Sequence, residues 1–148
     1  MKLNLGCCDT ILPDFVNVDL VEGQGVFQAN LAVPWPWDDS TASEIIANDI
    51  IEHLPHKIHT MNEMYRVLEP GRSASISVPT TNGTGAFQDP THVSYWNRRS
   101  FAYYEAGNPY RERFARHYGI TARFRVVSEE TTDTIDGERL SITLEALK

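Results

Sequence analysis

Cysteines, long apolar runs and paired glycines are all scarce in this sequence. Its two cysteines are adjacent, at positions 7 and 8, so the chain has neither a disulfide framework nor the C-x-x-C spacing of a zinc or redox site. No apolar run approaches the ~20 residues of a membrane-spanning helix. The first residues also lack the basic-then-apolar pattern of a signal peptide. We therefore expect a cytoplasmic protein that does not enter a membrane.

A dinucleotide-binding fingerprint is missing as well. Cys8 and Ile11 stand where the second and third glycines of a G-x-G-x-x-G loop would follow Gly6. Those glycines let the backbone approach a pyrophosphate, and their absence argues against a nicotinamide-dependent oxidoreductase.

Basic residues are outnumbered by acidic ones. The 13 lysines and arginines against 20 aspartates and glutamates give a net charge of −7, which argues against a nucleic-acid partner. The charge is uneven, because residues 61–125 carry nine bases and five acids. This stretch is either a site for an anionic ligand or a solvated arginine face.

Size and composition predict one domain that spans residues 1–148. The chain is 41% hydrophobic and has 15 aromatic residues, which is enough for one ordinary core. The sequence carries no signal for a particular oligomeric state.

Short apolar runs predict a parallel α/β sheet. The first two strands are predicted at 3–8 and 15–20, and the nine residues from Gly6 to Asp14 between them are too few for a full crossover helix. We therefore expect an abbreviated first crossover. Further strands are predicted at 26–31, 44–49 and 74–78, with a loop at 34–40.

Helix and hairpin signals occupy the rest of the chain. Pro55 is predicted to open a helix that Pro70 and Gly71 end. Two strands, 124–132 and 138–147, are predicted around the turn signal at 136–137. Two short helices are predicted at 100–105 and 109–118, with Gly107 and Gly119 as their C-caps.

Polar and glycine residues at the strand ends predict a ligand site. Ligands of open parallel sheets bind beyond the carboxyl ends of the strands, where Gly6 and Asp19 would face the same crevice. A glycine there lets backbone N–H groups approach a ligand, and a carboxylate on the next strand can accept both hydroxyls of a ribose. The pair indicates a cofactor that contains a nucleoside.

The order of the motifs resembles the class I S-adenosylmethionine-dependent methyltransferases of the small methyltransferase-domain type. The blocks that carry the resemblance are LNLGCC, VNVDL, EIIANDIIEHLPH, MNEMYRVLEPG and SISVPT. The resemblance implies a Rossmann-like, mostly parallel sheet with a C-terminal antiparallel hairpin whose last strand lies beside the fifth. It also implies S-adenosylmethionine as cofactor and methyl transfer to a small acceptor that the sequence does not identify, and the arginines of residues 61–125 make an anionic acceptor one candidate. The cofactor-binding residues that it implies are Gly6, Cys7, Cys8, Asp19, Leu20, Asn30, Leu31, Asn48 and Asp49.

Several positions depart from the family pattern. Cys8, Asp14 and Arg72 stand where the family commonly has glycine, and Asn30 replaces an aspartate. A side chain at Cys8 would crowd the cofactor if the backbone needs a positive φ there. The alternative function is therefore a non-catalytic module that binds S-adenosylmethionine or a nucleotide with a degenerate glycine loop.

The segment 82–123 is predicted to be a lid or substrate insertion, because it leaves the fifth strand at the cofactor edge and is rich in aromatic residues and arginines. Its His92, in the run QDPTH, is the candidate catalytic residue, either as a general base or as a hydrogen-bonding partner that holds the segment. No metal site is predicted. His53, His56 and His59 are spaced like metal ligands, but Pro55 interrupts them and no H-E-x-x-H motif is present.

Overall fold

The computed structural model describes residues 1–148 and contains one seven-stranded sheet with the strand order β3-β2-β1-β4-β5-β7-β6. All neighbouring strands are parallel except β7, which runs antiparallel between β5 and β6. The predicted mostly parallel sheet with a C-terminal hairpin is confirmed. The strands are β1 (Lys2–Leu5), β2 (Val16–Asp19), β3 (Val26–Gln28), β4 (Ala42–Asn48), β5 (Leu68–Pro79), β6 (Phe124–Thr134) and β7 (Gly137–Ala146).

Four α-helices and one 3₁₀ turn complete the fold. The turn covers Ile51–His53 and follows β4. None of the helices is long and apolar enough to cross a membrane. The helices are α1 (Lys57–Val67), α2 (Gly85–Gln88), α3 (Arg98–Phe101) and α4 (Pro109–Tyr118).

One face of the sheet carries the hydrophobic core. The register places Leu3 beside Ile45, Ile45 beside Ala74 and Ala74 beside Leu144, and these side chains join one cluster of 27 buried residues. Met61 and Met64 of α1 and Phe101 of α3 belong to the same cluster. α1 and α3 therefore cover part of this face.

The opposite face is polar. A parallel strand buried on both faces reads as a continuous apolar run, but β4, β5 and β7 alternate between buried and more accessible residues. The outward residues include Glu44, Ser73, Ser75, Ser77, Ser141 and Thr143.

The abbreviated first crossover is confirmed, and a pair of asparagines anchors it to the sheet. Residues 6–15 contain no helix. Asn4 Nδ2 donates to the Asn17 carboxamide oxygen at 2.9 Å and to the Thr10 carbonyl at 2.8 Å. Asn17 in turn exchanges two hydrogen bonds with the backbone of Leu12. The loop thus takes the place of a crossover helix, because its carbonyls satisfy amides that would otherwise be buried without partners.

Several predicted boundaries are wrong. Pro55 does not open α1, which starts at Lys57 with His56 as N-cap, because the 3₁₀ turn comes first. The Pro70-Gly71 pair lies within β5, at an irregularity that lets Leu68 pair with Ala42 and Ser73 with Glu44. The helix predicted at 100–105 instead covers 98–101, because Asn97 and Ser100 form a capping box, and Ala102 rather than Gly107 is its C-cap. The bounds of α4 and its left-handed C-cap Gly119 are confirmed.

An arginine clamp holds the predicted loop 34–40 against α1. The Arg66 guanidinium donates to Glu63 at 2.7 Å, to Asp39 at 2.8 Å and to the carbonyl oxygens of Trp35 and Trp37. Glu63 also accepts the backbone N–H of Trp35 at 2.7 Å. The hydrogen bond from Arg66 lowers the pKa of Glu63. The clamp fixes the entry of the chain into β4.

Replacing Glu63 by Gln should destabilise the protein at pH 7 by about 1–2 kcal/mol, because charge-assisted hydrogen bonds become neutral ones. A lowered pKa in the folded state stabilises above the ordinary glutamate pKa, and this contribution disappears as the pH falls through the lowered value. Urea denaturation of both proteins from pH 7 into the acid range should therefore show the difference shrinking. Glu69→Gln is the control, because its pair with Arg72 is 3.4 Å long and exposed and should contribute little. A constant difference at all pH values would contradict the role of the clamp.

Candidate functional site

The turn after β1 requires glycine. Gly6 has φ +64°, and a Cβ built there would lie 2.6 Å from the Cβ of Ile50. Only a residue without a side chain fits both the backbone conformation and the close approach. Gly6 lines two adjoining crevices.

The carboxylate at the end of β2 is held in a fixed orientation. Asp19 Oδ2 accepts the backbone N–H of Cys8 at 2.9 Å, and Oδ1 accepts that of Val21 at 3.1 Å. Each carboxylate oxygen has further lone pairs, so both oxygens can still accept a ligand hydroxyl. Asp19 thus links the turn after β1 to the turn after β2.

Five residues predicted for the cofactor line one cavity of about 350 Å³, which we call the Asp19 crevice. Apolar side chains, among them Val21, Ile50 and Leu54, form most of its wall. Such a cavity suits the flat, largely apolar face of a base next to a polar sugar. The five predicted residues are Gly6, Asp19, Leu20, Asn30 and Leu31.

The other predicted residues line a second cavity of about 240 Å³, the Asp49 crevice, which shares Gly6 with the first. Asp49 has φ +51° and accepts a hydrogen bond from Arg139. The Cys7 side chain is buried, and this burial, with the nearby charge of Asp19, raises the pKa of its thiol. Cys7 is therefore a neutral thiol and not a nucleophile. The four residues besides Gly6 that were predicted here are Cys7, Cys8, Asn48 and Asp49.

Cys8, Asp14 and Arg72 stand where the family commonly has glycine, but only the first two have a backbone conformation that favours glycine. Cys8 has φ +44° and Asp14 has φ +66°, a left-handed conformation that costs a residue with a side chain ~1–2 kcal/mol. Arg72 carries no such cost, because the positive φ of that turn belongs to Gly71. The expected backbone strain from a lost glycine therefore applies to Cys8 and Asp14 only.

A third cavity, of about 210 Å³ and with no hydrophobic lining residue, lies beside these two. It shares Asp49 with the second crevice and His53 with the first. We call it the Glu52 crevice, and His92 and Arg139 also line it. The three crevices follow one another along the carboxyl edge of the parallel strands.

His92 is almost buried, with 8% of its side chain exposed. Its Nδ1 lies 3.0 Å from the Ala86 carbonyl oxygen, which can only accept, so Nδ1 carries the proton in the neutral ring. Nε2 is left free, 4.0 Å from Glu52 and 3.9 Å from Asp89. The His53 ring packs edge-on against His92 with centroids 4.7 Å apart.

Glu52 was not predicted as a site residue from the sequence, although it lies in the quoted block EIIANDIIEHLPH. It is only 2% exposed, and neither carboxylate oxygen has a hydrogen-bond partner. Burial raises the pKa of Glu52 to about 7, and the charge of Asp49 adds to the rise. Its backbone carbonyl accepts the N–H groups of Val93 and Ser94, so the same residue ties the segment after β5 to the end of β4.

The three histidines weighed as metal ligands have separate roles. His56 caps α1, and His59 Nε2 bonds to the Val33 carbonyl at 3.0 Å. His53 instead faces His92 and Glu52. The spacing of three along the chain was therefore not the relevant signal.

Comparison with solved structures identifies the fold. The [4+2]-cyclase SpnF aligns with a TM-score of 0.67 at 11% identity, over 99% of this chain and 74% of the SpnF chain. The 1,6-didemethyltoxoflavin-N1-methyltransferase of Burkholderia thailandensis, solved with S-adenosylhomocysteine bound, gives 0.63 at 14% identity over 99% and 71%. An S-adenosylmethionine-dependent methyltransferase of Archaeoglobus fulgidus gives 0.60 at 14% identity over 97% and 85%.

The chain has the class I methyltransferase fold. A scan against protein-family models and a search of curated proteins found no match. Because a cyclase and methyltransferases share this fold, the activity has to be argued from the crevices. In this chain the Asp19 crevice lies beyond the carboxyl ends of β1 and β2. Open parallel sheets bind ligands at that edge.

Proposed function

We propose that this protein binds S-adenosylmethionine and transfers its methyl group to a small acceptor. The observation that carries the proposal is the pairing of Gly6 and Asp19 in one apolar crevice, with the Asp19 carboxylate oriented by two backbone N–H groups. A fixed carboxylate beside a glycine turn at the strand ends is suited to the ribose of a nucleoside. The fold of the methyltransferase neighbours supports the same conclusion.

The residues present fit such a cofactor. Asp19 would accept the ribose hydroxyls, and Leu31 and Val21 would contact the base. Asn30 already accepts the Ala32 N–H at 2.9 Å, and its oxygen retains a lone pair for an amino group. The Asp49 crevice, with Cys8 and Asn48, would hold the amino-acid part. When bound, S-adenosylmethionine supplies a methyl group already activated by a sulfonium charge, so the protein mainly binds and aligns.

The acceptor would occupy the Glu52 crevice, which adjoins both cofactor crevices. Its polar lining fits a small polar molecule. His92 is our candidate for contact with the acceptor, because its free Nε2 can accept a proton or bind another group. Only the first part of the segment 82–123 would act as lid, since Trp96 and Phe101 are buried in the main core.

Isothermal titration calorimetry with S-adenosylmethionine and S-adenosylhomocysteine tests the proposal. We expect both to bind with one site per chain, and we expect release of S-adenosylhomocysteine when a suitable hydroxy, amino or carboxylic acid is supplied from a panel of small acceptors. Binding without any turnover would favour the non-catalytic module. Absence of binding for both compounds would contradict the proposed function.

The left-handed backbone at Cys8 is the observation that favours the alternative. Replacing Cys8 by Gly should tighten S-adenosylmethionine binding by up to about tenfold, because the side chain no longer narrows the crevice that it lines. The left-handed conformation is already present without ligand, so loss of its ~1–2 kcal/mol cost should raise the stability of the fold and not the affinity. Cys8→Ala, which keeps the Cβ, should bind like the original protein. Calorimetry on the three proteins measures the difference. Equal or weaker binding by the glycine variant would show that the loop does not limit the site.

A further inference from the structure

We propose that Glu52, His53 and His92 form a binding site for one divalent transition-metal ion. One ligand atom from each of the three side chains lies within 4.8 Å of the other two. The three residues come from the 3₁₀ turn after β4 and from the segment after β5. The site is separate from the predicted cofactor residues, none of which takes part in it.

The hydrogen bonds of the two histidines leave the same ring atom free in each. His92 Nδ1 donates to the Ala86 carbonyl at 3.0 Å. His53 Nδ1 lies 3.0 Å from Thr91 Oγ1, and that hydroxyl donates to the Asp89 carboxylate at 2.6 Å. Because a hydroxyl has one proton, Thr91 must accept from His53. Both rings therefore carry their proton on Nδ1 and present the Nε2 lone pair.

Such outer hydrogen bonds are characteristic of metal-binding histidines. A ligating imidazole usually donates its second N–H to a carbonyl, carboxylate or hydroxyl, which fixes the ring and its tautomer. The Ala86 carbonyl does this for His92, and the Thr91–Asp89 pair does it for His53.

The Glu52 carboxylate is the independent sign of a missing partner. It is 2% exposed and neither oxygen has a donor, and such a buried, unpaired carboxylate is costly. Five acidic residues line the crevice against one base, Arg139, which is already paired with Asp49. A cation would relieve both the orphaned carboxylate and this excess of negative charge.

The donor set selects the class of ion. Two imidazole nitrogens and one carboxylate oxygen suit Zn²⁺, Fe²⁺, Mn²⁺ or Co²⁺, whereas Mg²⁺ and Ca²⁺ prefer oxygen ligands. Binding at ~2.1 Å from each donor requires the three atoms to move closer together. The Glu52 carboxylate can rotate toward the histidines, because no hydrogen bond restrains it.

Three protein ligands leave coordination positions open to the crevice. An acceptor hydroxyl bound there would become more acidic, as metal-bound water does. This consequence rests on the proposed function. His92 would then be a ligand and not the base, and the hydroxyl proton would pass to solvent water at the mouth of the crevice. Metal binding itself does not rest on that function.

Two titrations of the chelator-stripped protein test the site. One uses Zn²⁺, and the other uses Co²⁺ with visible absorption as the readout. We expect one ion per chain. Glu52→Gln and His92→Gln should each weaken binding by more than the ~10–100-fold that follows loss of an outer hydrogen-bond partner. His59→Gln is the matched control, because His59 lies in α1, outside the site, and bonds to the Val33 carbonyl, so this change should leave the affinity unchanged.

Thr91→Val provides a test that does not alter a ligand. It removes only the hydroxyl that holds His53 and should weaken binding by ~10–100-fold in a protein that melts normally. Zn²⁺ binding that survives in Glu52→Gln and His92→Gln, or that falls equally in His59→Gln, would overturn the proposal. The separate titration with S-adenosylmethionine distinguishes the two hypotheses, since either ligand can bind without the other.

Discussion

Replacing Gly6 by Ala is expected to lower the free energy of unfolding by about 2–5 kcal/mol. The φ of +64° costs a residue with a side chain ~1–2 kcal/mol. The added Cβ would lie 2.6 Å from Ile50 Cβ and 2.7 Å from its Cγ1, and such overpacking typically costs ~1–3 kcal/mol. Urea denaturation measures the loss. The variant should also lose affinity for S-adenosylmethionine, because Ile50 and Gly6 both line the Asp19 crevice.

Gly107→Ala separates the two contributions. Gly107 has φ +77°, but a Cβ there would meet nothing within 4 Å. This variant should lose only the ~1–2 kcal/mol of the backbone conformation, and its ligand affinity should not change. Equal losses in the two variants would mean that Ile50 moves aside and that the close approach at Gly6 has no energetic weight.

Replacing Asp19 by Ala should weaken S-adenosylmethionine binding about ten- to a hundred-fold. Charge-assisted hydrogen bonds contribute ~1.5–3 kcal/mol, and each ~1.4 kcal/mol is a factor of ten in affinity. Asp19 accepts hydrogen bonds from the backbone N–H groups of Cys8 and Val21, and both N–H groups lie near the surface. Water can replace the lost carboxylate there, so the melting temperature should fall only slightly.

Two further variants make this test specific. Asp19→Asn keeps the shape and one acceptor oxygen, so its affinity should lie between those of the other two proteins. Asp38→Ala removes an exposed carboxylate of the loop 34–40 and should bind normally. Calorimetry on all four proteins, with melting curves to check folding, decides the matter. If Asp19→Ala binds as well as the original protein, the ribose assignment is wrong.

Features that depend on neighbours in the chain could be predicted from the sequence. The bounds of α4 follow from Asn108 and Pro109 at its start and Gly119 after its end, since caps act within one turn. The apolar runs of β1 and β2 and the hairpin strands were also recognisable. With the strand order, they bring Gly6 and Asp19 to the same edge of the sheet, and the predicted crevice is there.

Features that depend on strand pairing could not be predicted in this way. Pro70 and Gly71 are helix-ending residues by local preference, yet they lie within β5, because Leu68 pairs with Ala42 of β4 before the strand bends. α1 starts at Lys57 and not at the predicted Pro55 for a similar reason. Hydrogen bonds from Val93 and Ser94 to the Glu52 carbonyl tie down the 3₁₀ turn that precedes it.

Only the tertiary structure reveals the cluster of Glu52, His53 and His92. His53 and His92 are separated by two helices and a strand in the chain, and the sequence pattern instead drew attention to His56 and His59. The segment after β5 returns over the end of β4, and this brings His92 to Glu52. Sequence motifs predicted a crevice at the ends of β1 and β2, because strand ends are local features. The fold decided what lies beside it, because long-range contacts depend on the packing of distant segments.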